Sequence, residues 1–139
     1  MAINRKYAEG NLTSKLIKAF AQTASRTTNQ PVTGDPVRIG NQPGVSSSGV
    51  DSNARSVIFL DGVFEILVGG VDNSGSAGSD ANVAVKGGDQ LYFAEGDTPP
   101  VSKRADGVPF GIAWGDHDVE LVASGGLTTK IEVRLSKGK

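Results

Sequence analysis

Thr129-Lys130-Ile131-Glu132-Val133-Arg134-Leu135 alternates polar and apolar side chains without a break and sets Ile131, Val133 and Leu135 on one face. A period of two marks a half-buried β-strand, because successive side chains point to opposite faces of a sheet. Similar short runs recur back along the chain. Pro36-Val37-Arg38-Ile39-Gly40 alternates, and Asn41-Gln42-Pro43-Gly44 follows as punctuation. Ser56 to Phe59 and Val63 to Val68 flank Asp61-Gly62, a strong turn dipeptide, and are placed to form a tight hairpin. Gly69 to Asp80 is so rich in Gly, Ser, Asp and Asn that it reads as loop. Val83 to Val85, Gln90 to Ala94, Phe110 to Trp114 and Val119 to Ala123 continue the series.

Seven or eight strands at a spacing of about 8 to 12 residues predict an all-β fold. The expectation is a small antiparallel β-barrel or sandwich, β-tulip or jelly-roll-like, over residues 31–139, preceded by an extended or helical N-terminal arm over residues 1–30. The 139 residues suit one domain. Glycine, 19 of them, is roughly twice its usual share; without a G-X-Y period this argues against both collagen and a helical bundle. The glycines are expected at turns.

The arm differs in pattern. In Leu12 to Ser25, Leu12, Leu16, Phe20 and Ala24 recur every four residues with Ile17 alongside, which fits a short amphipathic helix or a helix-capable segment that needs a surface to lie on. Its own barrel and a partner are equally open as that surface. Met1 to Gly10 carries charge and no apolar run, so no secretory signal is expected, and the protein is expected to be made in a cytoplasm.

The formal net charge of -1 conceals a segregation. Residues 1–30 set Arg5, Lys6, Lys15, Lys18 and Arg26 against Glu9 alone, residues 51–125 hold twelve acids and four bases, and residues 126–139 are basic again. A basic arm, an acidic body and a basic tail suggest separable parts. A solvated surface is the plainer reading of the same charges.

Much chemistry is excluded. Absent cysteine removes thiol nucleophiles, disulfides and thiolate metal sites, and one histidine removes multi-histidine sites within one subunit. Asp116-His117-Asp118 looks catalytic, yet neighbours in a strand face opposite ways, so a polar hairpin turn is the better reading. Asp72-Asn73-Ser74-Gly75 echoes a calcium loop but fails its spacing. There is no phosphate loop, so an ATPase or recombinase is rejected, and no nucleophile elbow. A single-strand nucleic-acid barrel would need a basic face with exposed aromatics, whereas the body is acidic and Phe59, Phe64, Tyr92, Phe93, Phe110 and Trp114 mostly lie in runs that look like core. No catalytic residue, cofactor or metal is expected.

The order of motifs carries a resemblance. Gly34-Asp35-Pro36-Val37 with Gly40, then Gly44-Val45, then Gly62-Val63-Phe64-Glu65, then Gly88-Asp89 with Tyr92, then Gly111 to Ala113 and a closing Val133 to Leu135 resemble the DUF2190 family of tailed-phage capsid decoration, or cement, proteins. Tyr7 to Gly10 is similar to that family's opening; Asn11 to Gln30 is longer than the family's connection. The resemblance implies a non-enzymatic virion protein on the outer surface of a phage head, synthesised in the host cytoplasm. It further implies a homo-oligomer, a trimer in preference to a dimer, that binds the major capsid protein without direct nucleic-acid or membrane contact. The expected capsid contact is the arm, with Arg5, Lys6, Tyr7, Lys15, Lys18 and Arg26 as polar anchors and Leu12, Leu16, Ile17 and Phe20 as the buried stripe. A virion-displayed glycan-binding domain using the Gly69 to Asp80 loop and Trp114 is the alternative class.

Overall fold

A computed structural model describes residues 5–7, 34–39, 42–46, 58–94, 97, 99–117 and 119–136. Twelve strands run in the order β1 (Arg5–Tyr7), β2 (Pro36–Ile39), β3 (Gln42–Ser46), β4 (Ile58–Phe59), β5 (Val63–Asp72), β6 (Ala81–Asn82), β7 (Val85–Lys86), β8 (Gln90–Phe93), β9 (Val101–Lys103), β10 (Val108–Ala113), β11 (Glu120–Val122) and β12 (Thr128–Leu135). The candidate helix at 12–25, the boundary near residue 30 and Gly40 lie outside the described residues.

Five strands close a barrel in the order β5, β12, β10, β8 and β9, with β9 returning to β5. The all-β barrel expected from the alternation is present. One ladder departs from the antiparallel expectation, because β9 joins β5 in parallel, Gly69 opposite Ser102. β12 pairs with β5 over seven positions, from Thr128 opposite Gly69 to Arg134 opposite Val63. As its pattern requires, Ile131, Val133 and Leu135 are buried.

Phe64, Ile66, Val68, Leu91, Phe93 and Phe110 fill the core with those β12 residues. Phe93 and Phe110 stack at 6.0 Å between ring centroids. A separate three-stranded sheet, β2-β3-β4, delivers Val45 and Phe59 to the same core, where Phe59 stacks on Phe64 at 5.6 Å. Such aromatic pairs contribute about 0.5–1.5 kcal/mol beyond their buried area.

Three local expectations are corrected. The Asp61-Gly62 hairpin does not form: β4 pairs with β3, while β5 pairs with β1, β12, β6 and β9. Gly62, at φ 124°, turns the chain from one sheet into the other, and its carbonyl accepts the Leu135 amide at 3.0 Å. Gln42 to Ser46 is a central strand and not punctuation. Gly44 sits within it because a Cβ there would run into Ile58, so the glycine marks close strand packing. Gly69 to Asp72 is strand and not loop: β5 continues through a glycine pair where a Cβ on Gly70 would meet the Val83 carbonyl at 2.7 Å. A further strand, β9, follows Pro99-Pro100 over only three residues, too short for alternation to mark it.

Candidate functional site

Three regions of the barrel surface carry exposed chemistry. The first is the end where β5 begins. β1 lies on one side of β5 with Tyr7 opposite Val63, and β12 lies on the other with Arg134 opposite the same Val63. Both strands run antiparallel to β5, so the chain leaves β1 after Tyr7, and leaves β12 after Leu135, at one end of the barrel. Arg5, Lys6 and Tyr7 are therefore hydrogen-bonded into the barrel sheet as a strand. Lys15, Leu16, Ile17, Lys18, Phe20 and Arg26 lie outside the described residues, as does Leu12.

The second region surrounds Arg104 at the opposite end of β5. Its guanidinium bonds the Asp80 carboxylate at 2.9 Å and the Asp97 carboxylate at 3.1 Å. Asp72 turns back on its own loop and accepts from the Ser74 amide at 2.9 Å and the Ser74 hydroxyl at 2.6 Å. The Ser74 hydroxyl is the main reason that the Asp72 carboxyl titrates below its ordinary value, and the Arg104 guanidinium does the same for Asp80. The stretch that echoes a calcium loop is thus occupied with local bonds. Among the described residues no group of three His, Asp or Glu converges as a metal site.

The third region is an open cleft of about 380 Å³ lined by Gly88, Ile112, Ala113, Trp114, Gly115 and Asp116. Trp114 follows the last residue of β10 and is tied to β12 by its amide, which donates to the Glu132 carbonyl at 2.8 Å. Its side chain is 41% exposed, which corrects the expectation that it belongs to the core. The apolar run predicted burial, but Trp114 alternates outward with Ile112 while Ala113 faces the core. The Arg134 guanidinium sits 5.6 Å from the ring centroid and braces the indole through a cation–π contact. Beside it, the Val119 amide donates to the Asp116 carbonyl at 3.2 Å, closing a turn around His117. The polar turn is present without the hairpin, since β11 pairs with β7 and not β10.

The motif residues behind the resemblance hold the frame. Gly34 has φ 88°, and its amide donates to the Ser46 carbonyl at 2.7 Å, while the Asp35 carbonyl accepts the Ser46 amide at 2.9 Å. Pro36 opens β2 and is buried; Val63 and Phe64 open β5 and are buried. Gly88, at φ 92°, occupies a turn that Asp89 closes by accepting the Lys86 amide at 2.8 Å. Asp89 also pairs with Lys103 at 3.0 Å, and Tyr92 is half-buried on β8.

No family model, curated protein or solved structure matches this chain.

Proposed function

We propose that the protein is a structural component of a phage virion, a cement protein that binds the outer surface of the head and secures contacts between major capsid protein subunits. The observation that carries this reading is the placement of the two basic ends. β1 and β12 flank the start of β5, so the segment following Tyr7, which sets Lys15, Lys18 and Arg26 against Glu9, and the basic residues at and beyond Arg134 attach to one end of a closed barrel. The Arg104 cluster, with Asp72, Asp80 and Asp97, occupies the other end. A polarised body of this kind orients itself on an acidic surface, basic end inward. Modest affinity at each site is multiplied when many copies engage one shell.

In this reading the arm carries the capsid contact through Lys15, Lys18 and Arg26 and the apolar stripe of Leu12, Leu16, Ile17 and Phe20. The copies assemble as homotrimers, with no enzymatic step, cofactor, nucleic acid or membrane involved. Because β1 belongs to the barrel sheet, the informative deletion spares it. Removing residues 11–26 and mixing the remainder with undecorated heads is expected to abolish sedimentation with the heads at physiological salt. Undiminished binding would overturn the arm's role. Light scattering of the purified chain is expected to give three times the mass of the 14.3 kDa chain, and a monomer both free and on the head would remove the trimer.

A further inference from the structure

We infer that the Trp114 cleft is a saccharide subsite, in which one pyranose ring stacks its C–H face on the indole. The inference is independent of the capsid reading. Trp114 presents a large, rigid, apolar plane to solvent, and Arg134 already braces it, so little ordering remains to be done when a ligand arrives. Ile112, half-buried on the same outward face, continues the apolar floor. Gly88 and Gly115 border it without side chains, which lets a flat ring approach the backbone. Asp116, exposed on the rim, supplies carboxylate oxygens that accept hydrogen bonds from hydroxyl groups.

Charge selects among ligand classes. Among the described residues that line the cleft Asp116 alone is charged, and Arg134 against the indole offsets it. A site with this balance gives no net attraction to a polyphosphate backbone or an anionic lipid surface, both of which need accumulated positive charge. It favours a neutral molecule with one apolar face and a hydroxyl-bearing edge. A pyranose has that shape. The cleft is open and shallow, so one ring binds weakly, and multivalent display would raise the avidity.

Trp114 is the chain's sole tryptophan, so its emission reports directly on the site. The test titrates the full chain with methyl α-D-glucopyranoside, methyl β-D-galactopyranoside, methyl α-D-mannopyranoside and N,N′-diacetylchitobiose. Sorbitol, which has hydroxyls but no ring face, is the control. The expected result is a saturable change in emission, with a millimolar midpoint, for at least one ring sugar and none for sorbitol. Asp116→Asn keeps the reporter and is expected to weaken that sugar about tenfold, the loss of one charge-assisted hydrogen bond. No saturable change with any ring sugar, an equal response to sorbitol, or an unchanged midpoint in Asp116→Asn would each overturn the proposal. Head binding that survives in Asp116→Asn would leave the capsid reading intact.

Discussion

On the inner side of the barrel, β10 and β12 contribute Phe110, Ala113, Ile131, Val133 and Leu135, all buried, whereas the alternate positions carry Ile112, Glu132 and Arg134, half-buried, and Trp114 and Lys130, exposed. The two faces share a backbone and nearly the same mean position in the chain. What separates them is the number of neighbours each side chain must satisfy. Inside, every added or lost methylene is felt, because the core is packed at crystal-like density. Outside, a residue as large as Trp114 is held by a single guanidinium and is free to meet a ligand.

That contrast is broken most severely from the inside. Phe64→Ala and Phe110→Ala are each expected to cost about 3–5 kcal/mol in urea unfolding, since each removes a fully buried ring and one of the two aromatic stacks. Gly111→Ala comes next, at about 1–3 kcal/mol: its Cβ would run into the Arg134 carbonyl and come within 2.8 Å of Val133 Cγ1, forcing the β10–β12 ladder apart. Trp114→Ala, a larger truncation than Gly111→Ala is an addition, is expected to cost only about 0.5–1 kcal/mol, the worth of an exposed cation–π contact. A Trp114→Ala loss as large as that of Phe110→Ala would mean that the outer face is core after all.

The smallest effect tests the polar end. Asp72 and Asp80 have folded pKa values below their ordinary 3.8, so their contribution to stability is fully present above that pH and is lost as pH falls through the lower folded values. Arg104→Gln removes the main cause of the Asp80 shift. The stability gap between wild type and Arg104→Gln should therefore be constant from pH 7 to about 4 and close below it. A gap that widened on acidification would contradict the assigned ion pair.

The sequence was most informative where one periodicity ruled. β12 alternates because one of its faces is buried from Ile131 to Leu135, and its inward residues agree with the alternation. It was least informative where a glycine served packing in place of turning. Gly44, Gly69 and Gly70 lie inside strands because neighbouring strands or loops press against their Cα atoms, and composition alone cannot separate that demand from a turn's need for positive φ. The Asp61-Gly62 dipeptide does turn the chain, but the choice of partner for each flank depends on which sheet offers an open edge, a long-range matter that no local dipeptide encodes. For the surface, charge order was legible and geometry was not. The basic segments were evident, while their attachment on both sides of Val63 required the register of two ladders. An apolar run hides which of its alternate members face outward, so Trp114 reads as core in the sequence and stands exposed in the fold.

The position of β12 also imposes an order on biosynthesis. It is the last strand of the described chain, yet it lies between β5 and β10 in the barrel wall. Until residue 135 has left the ribosome, β5 and β10 present raw edges on either side of a gap, and Phe64 and Phe110 have no wall between them and solvent. Strands made early must wait for β12, so the barrel cannot close before residue 135 is available.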